Sequence, residues 1–200
     1  MLRKKLMSPL LALFLLAAPA VLAATTFDVD ATHTTVLFSI RHLVTEVQGK
    51  FTKFNGTIVY DAKNPEKSSV EFTVDAASIN TNNDKRDGHL RSADFFEVEK
   101  FPTLTFKSEK AKAKGKDQLE VTGVFTMRGV SKTITVPVKI LGVIESKDWG
   151  TKGGFSTSFV INRKDYGMNW NKALDVGGLV LGDDVTVTLN VEADGKAAAN

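Results

Sequence analysis

Cysteine is absent from all 200 residues. That excludes disulfides, thiol catalysis, zinc sites built on thiolates and a lipidated N-terminal cysteine. A chain exported in this form relies on its hydrophobic core alone for stability. Long apolar runs are lacking as well, because the stretch at residues 10–16 is too short to span a bilayer. Beyond residue 23 there is no excess of one charge sign. The 26 Lys and Arg exceed the 23 Asp and Glu by three, and Arg3, Lys4 and Lys5 account for that excess. Residues 24–200 are therefore formally neutral, and the sequence makes no case for nucleic-acid binding. A Gly-rich phosphate loop is missing too: residues 150–154 and Gly177-Gly178 read as turn material. No cofactor is expected.

The first 23 residues read as a secretion signal. A basic start is followed by the apolar centre and by Val21-Leu22-Ala23, a small-residue cleavage site. The expectation is a periplasmic protein beginning near Ala24 and forming a single domain, with a core over about residues 27–193 and a loose tail from Asp194.

Period-two alternation runs through nearly all of that domain. Val36, Phe38, Ile40 and His42 share one face of a strand, as do Phe54, Gly56, Ile58 and Tyr60, and then Val70, Phe72, Val74 and Ala76. Leu104 and Phe106 follow, then Leu119, Val121, Gly123, Phe125 and Met127. Arg128-Gly129 makes a tight hairpin into Ile134, Val136, Val138 and Ile140. Phe155, Thr157, Phe159 and Ile161 form another strand, and Val185, Val187, Leu189 and Val191 the last. Turn signals fall at Asn64-Pro65, at residues 114–117, at Gly153-Gly154 and at residues 182–184. About eight antiparallel strands with one apolar face each are hidden most economically in a closed barrel. Eight strands enclose an interior that side chains either fill or leave open for one ligand. A sandwich is the alternative arrangement.

The single helical signal lies between residues 78 and 106. Asn82 or Asn83 caps its start, Asp84 and Asp87 suit the first turn, and Arg91 stands four residues after Asp87 as an exposed pair. Leu90, Ala93, Phe95 and Phe96 supply apolar contacts near its end, and Pro102 biases Phe101 towards an extended conformation. The expectation is a short helix near residues 84–95 crossing one end of the barrel.

No catalytic pairing stands out. Arg86, Asp87, Arg91, Asp94 and Glu97 read as solvated helix charges or as salt bridges to the barrel, and Ser92 has no evident base beside it in sequence. The three histidines, His33, His42 and His89, share no ligand spacing, so no metal site is expected. Lys110, Lys112, Lys114 and Lys116 alternate around a hairpin tip with the parity of inward Leu104 and Phe106. The strand must therefore twist, bulge or rise clear before them. The tip reads as a soluble, aggregation-resistant end, with transient contact to anionic headgroups as the alternative.

Residues 80–82, leading into Arg86-Asp87-Gly88-His89-Leu90-Arg91-Ser92-Ala93-Asp94-Phe95-Phe96 and Lys100-Phe101-Pro102, resemble the signature of the YceI-like family. Phe38-Ser39-Ile40-Arg41-His42-Leu43, residues 49–51, 54–56, 123–132 and 163–168, and Gly182-Asp183-Asp184-Val185 fit as well, in the family's order over about residues 27–193. The resemblance implies an elongated, lipocalin-like antiparallel barrel. It also implies binding of a polyisoprenoid or other long-chain lipid, commonly an isoprenoid quinone, for transport or storage. An enzyme acting on a hydrophobic substrate, and a stress-response barrel with a filled core, are the competing readings. Inward parity nominates Phe38, Ile40, Phe54, Ile58, Phe72, Val74, Phe106, Val121, Phe125, Val136, Phe155, Phe159 and Leu189 as the cavity wall. Leu90, Phe95, Phe96 and Phe101 are expected to border it, with His42 or His89 nearest a polar head.

Overall fold

The structure is a computed structural model that describes residues 24–175 and 177–196. The segment read as a secretion signal lies outside the described residues, as does the end of the chain after residue 196. Eleven strand segments form one antiparallel sheet. They are β1 (Thr25–Val29), β2 (Thr35–His42), β3 (Thr45–Phe51), β4 (Phe54–Tyr60), β5 (Ser69–Asp75), β6 (Ile79–Asn80), β7 (Thr103–Gly115), β8 (Gln118–Met127), β9 (Val130–Ser146), β10 (Gly150–Asn162) and β11 (Leu181–Gly195). A helix, α1 (Asp84–Arg91), stands between β6 and β7.

These segments make eight strand positions. The order β1-β4-β5-β7-β8-β9-β10-β11 closes on itself through β1 and β11, so the sheet is a barrel with no open edge around that ring. The first three positions are each broken in two. β2 continues β1 along the same edge of β11, β3 continues into β4, and β5 into β6. Local chemistry makes two of these breaks. Between β1 and β2 the Asp30 carboxylate accepts the Thr32 N–H at 2.8 Å, and the Thr34 hydroxyl exchanges hydrogen bonds with the Glu192 backbone in place of a ladder pair. Between β5 and β6, Asp75 caps a 3-10 turn by accepting the Ala77 N–H. Sequence alternation did not single out β1 or β3.

Two expected turns lie within strands instead. Gly153 and Gly154 lie inside β10, where a Cβ on Gly153 would meet the Phe27 and Phe155 rings at 2.9 Å. Gly182-Asp183-Asp184 bulges β11 between Leu181 and Val185. The lysine tip resolves in a similar way. A register shift between Ser108 and Lys110 reverses the parity of β7, so Ala111 is buried while Lys110, Lys112 and Lys114 face water. Arg128 and Gly129 form the β8–β9 turn with φ of 50° and 72°, the two left-handed positions that a tight hairpin requires. At the C-terminal end, Asp194 pairs with Lys152 and Gly195 with Phe27, so these two residues are strand and not a loose tail.

Helix α1 sits at the end of the barrel that also carries the β2–β3 and β8–β9 turns. The Asn83 side chain caps it, accepting the Arg86 N–H at 2.9 Å. It ends at Arg91, short of Phe95, because the Ser92 hydroxyl and N–H both bond the His89 carbonyl. Two non-helical turns then carry Phe95 and Phe96 inward. The expected Asp87–Arg91 surface pair does not form. Asp87 is buried and accepts both the N–H and the hydroxyl of Thr81, while Arg91 donates to the carbonyls of Ala77 at 2.8 Å and Ile79 at 2.9 Å. Hydrogen bonds to β6 and its flanks therefore pin the helix, and the geometry of the barrel end outweighs the i,i+4 preference.

Candidate functional site

Inward-facing residues form two packed clusters. One, near the helix end, includes Phe51, Phe72, Leu104, Phe125, Tyr166 and Met168. The other, at the opposite end, includes Phe27, Leu119, Val121, Val136, Phe155 and Val191. Val70, Phe106, Phe159 and Leu189 touch both clusters, yet they remain only half-buried although their parity is inward. They look onto an internal cavity of about 380 Å³. Its wall reaches from Leu181 to Val191 along β11, and with strands tilted as in barrels this corresponds to roughly 25 Å along the axis.

Strand alternation places Phe38, Ile40, Ile58, Phe72, Val74, Phe106, Val121, Phe125, Val136, Phe155, Phe159 and Leu189 on this wall. The helix and the turns after it bring His89, Leu90, Phe95 and Phe96 to the same space, and His42 reaches it from the end of β2. Two of the nominated residues lie elsewhere. Phe54 stacks on Phe72 with ring centroids 5.8 Å apart and takes no part in the wall. Phe101 packs over the β8–β9 turn, where a Cβ on Gly129 would come within 2.5 Å of its ring. Phe101 therefore locks the helix segment to a hairpin and does not border the cavity.

Sequence reading missed several wall residues. Phe51 and Val47 share the parity of β3, a signal that was available; Thr81, Arg86, Trp170 and Leu181 come from loops, strand ends and the helix, where no period reveals orientation. Arg86 donates to the Thr81 hydroxyl at 2.7 Å and to its carbonyl at 2.8 Å. Trp170 closes the mouth edge-on against His89, with ring centroids 4.9 Å apart, and lies 5.5 Å from Phe95.

Arg163 holds this mouth together. It is 2 % exposed and donates to the carbonyls of Gly182, Met168 and Trp170 and to the Asp183 carboxylate. Burial pulls its guanidinium below its ordinary pKa, against the opposing charge of Asp183.

The polar groups at the mouth do not assemble a hydrolytic triad. Ser92 donates to the backbone of His89, and the His89 ring pairs through Nε2 with Asp94 at 2.8 Å, so serine and imidazole are not joined. His42 makes no side-chain hydrogen bond among the described residues. Its ring nitrogens are polar atoms left free on the cavity wall.

A second cluster lies at the β1–β2 break. Ligand atoms of Asp30, His33 and Glu192 fall within 4.8 Å of one another, but the Lys152 ammonium stands 3.9 Å from Asp30 and 3.5 Å from Glu192 and fills the role of the cation. His33 Nδ1 lies 2.7 Å from the Asp30 carboxylate. That hydrogen bond, then the Asp30 charge, raises the His33 pKa above 6.5, while the same bond and the Thr32 N–H drive Asp30 down to about 2. The His33 contribution to folding is complete below pH 6.5 and is lost as pH rises through the raised value. The Asp30 contribution is complete above pH 3.8 and is lost as pH falls towards 2. An NMR titration should therefore place the His33 midpoint above 6.5, returning to about 6.5 in Asp30→Asn. An unshifted midpoint in the unmodified protein would refute the pairing.

Known proteins share this architecture. A YceI-like domain model matches residues 27–193. Protein YceI of Salmonella arizonae is 39% identical over 148 residues, covering 74% of this chain and 77% of that protein. The crystal structure of a Campylobacter jejuni YceI protein superposes with a TM-score of 0.68 at 32% identity, covering 78% of this chain and 90% of that one. A polyisoprenoid-binding domain from Saccharophagus degradans shares the fold at a TM-score of 0.64 and 17% identity, covering 85% and 98%. A single model spanning the whole ring of strands and the helix between β6 and β7 settles the kinship, and the chain belongs to the YceI-like family.

Proposed function

We propose that this protein is a binding protein for a long-chain apolar lipid, a polyisoprenoid or isoprenoid quinone, which it carries or stores in the periplasm without acting on it chemically. The observation that carries this reading is the cavity itself, an elongated apolar space of about 380 Å³ inside a closed barrel. Its volume falls within the roughly 300–1,000 Å³ range of small-molecule sites. An apolar wall without a fixed array of polar partners suits a chain of methyl and methylene groups and offers little to a polar substrate. The polyisoprenoid-binding domain of the same fold supports the class of ligand. The basic, apolar and small-residue segments at residues 1–23 support export.

His42 and the Arg86–Thr81 pair stand at the mouth and take the polar head in this reading, with the chain pointing towards Phe155 and Val191. Burial of a methylene stabilises by about 0.8 kcal/mol relative to water. A lipid arriving from a membrane has its chain buried already, so transfer into the barrel is nearly balanced and runs in either direction.

The test is the lipid content of the protein purified from its host without detergent. Mass spectrometry should find about one long-chain isoprenoid per chain. A protein that emerges lipid-free and takes up no isoprenoid quinone when offered one would end this reading.

A further inference from the structure

We propose that the mouth of the barrel is a membrane-docking rim, in which Leu43, Val44 and Leu179 enter the acyl region of a phospholipid bilayer and hold the cavity opening against it. This rests on the lipid-binding reading above and adds the route by which the lipid enters.

Leu43 and Val44 are the two central residues of the β2–β3 turn, between the paired His42 and Thr45. Leu43 has φ of 52°, in the left-handed region that a two-residue hairpin normally reserves for glycine or asparagine at its first central position. Val44 is 89 % exposed, Leu43 43 % and Leu179 50 %. The turn is thus unfavourable twice over, through backbone strain and through apolar exposure. Among the described residues, none covers Val44. The Leu43 N–H donates to the Val180 carbonyl at 2.8 Å, which joins this turn to the one that carries Leu179. Gly177 and Gly178, both at positive φ, shape that second turn.

The rim is continuous with the cavity. His42 precedes Leu43, Leu181 follows Leu179 by two, the two residues pair across β2 and β11, and both line the wall. Leu43, Val44 and Leu179 together present a small exposed apolar tip. A stable protein partner needs about 800 Å² of complementary surface on each side, which such a tip does not supply. A bilayer needs no complementary shape and takes apolar side chains to the depth they reach. Arg41, Glu46, Lys172 and Asp175 flank the rim with both signs of charge, so apolar insertion and not headgroup attraction drives the contact. The lysine tip is different in kind. It lies at the opposite end of the barrel, and Lys114 there is already paired with Glu120 at 2.9 Å.

The test uses the full exported chain and unilamellar phosphatidylcholine vesicles, with and without added phosphatidylglycerol, in flotation assays. Loading is followed separately with ubiquinone delivered from vesicles and from detergent. The unmodified protein should float with phosphatidylcholine alone, and neither phosphatidylglycerol nor salt should change this much. Val44→Asp should weaken flotation and slow loading from vesicles by about tenfold or more, yet fill from detergent like the parent. Leu43→Gly should raise the melting temperature while weakening flotation, a combination that a purely structural turn would not give. The rim fails if Val44→Asp loads from vesicles at the parental rate, or if flotation requires phosphatidylglycerol and vanishes in salt, which would move the contact to the lysine tip. It also fails if the substitution alters sedimentation and leaves flotation intact, which would make the occupant a second copy of the chain. If the unmodified protein does not fill even from detergent, the lipid-binding reading fails, and flotation alone then decides the rim.

Discussion

Arg163→Ala should destabilise the protein by about 3–5 kcal/mol, the cost of breaking a buried, fully hydrogen-bonded charge. Its guanidinium bonds Gly182 at 2.8 Å, Met168 at 2.6 Å, Trp170 at 2.8 Å and the Asp183 carboxylate at 3.3 Å. Removal leaves three carbonyls without donors beside an apolar space, and each such group costs about 1–3 kcal/mol when it stays buried. Among its described residues, the loop from Gly167 to Val180 has no strand ladder of its own beyond the Ala173–Leu179 bridge. Arg163 is therefore a main support of the loop's position over the mouth, beside the Asn171–Leu181 and Arg128–Gly167 hydrogen bonds. The urea midpoint should fall sharply, and the fluorescence of Trp170 should shift towards that of exposed indole. Arg163→Lys should recover only part of the loss, because a single ammonium does not reproduce the planar fork that spans three carbonyls. A midpoint within about 1 kcal/mol of the parent in the alanine variant would show that the loop is held by other contacts.

Phe125→Trp should abolish most lipid uptake while leaving the fold nearly as stable as before. The Phe125 ring meets Tyr166 edge-on, with centroids 5.5 Å apart, and also lines the cavity. Extra bulk inserted into a filled core costs about 1–3 kcal/mol through strained rotamers and backbone shifts. Here the larger indole has about 380 Å³ of space before it. The expected cost in the lipid-free protein is below about 1 kcal/mol, and the volume lost to the indole is volume denied to the lipid. Extractable isoprenoid should fall by about tenfold, with the urea midpoint little changed. Clear destabilisation together with undiminished lipid would show that the ring faces packed atoms and that the lipid lies elsewhere.

These two residues also show how far sequence reaches. The inward position of Phe125 is legible from alternation, since Leu119, Val121, Gly123, Phe125 and Met127 share the buried face of β8. The role of Arg163 is not. Nothing in the periodicity of a short 3-10 segment says that its arginine points into the protein and gathers carbonyls from residues 168, 170 and 182. Likewise, the resemblance named the family, but the rim at Leu43 and Val44 became visible only when their exposure and the Val180 contact were in view.

Local backbone chemistry by itself determined the strand faces, a cap at Asn82 or Asn83, the Arg128-Gly129 hairpin and the need for a parity change before the lysines. Each depends on a residue and its near neighbours, and pleat and turn geometry are set over a few residues. Tertiary structure decided the rest. It divided the first three strands, drew Gly153-Gly154 and residues 182–184 into strands, buried Asp87 against Thr81 and withdrew Phe54 and Phe101 from the wall. It also left the interior open. Whether a barrel is filled depends on the summed volume of side chains arriving from eight strands and a helix, and no single strand's alternation carries that sum.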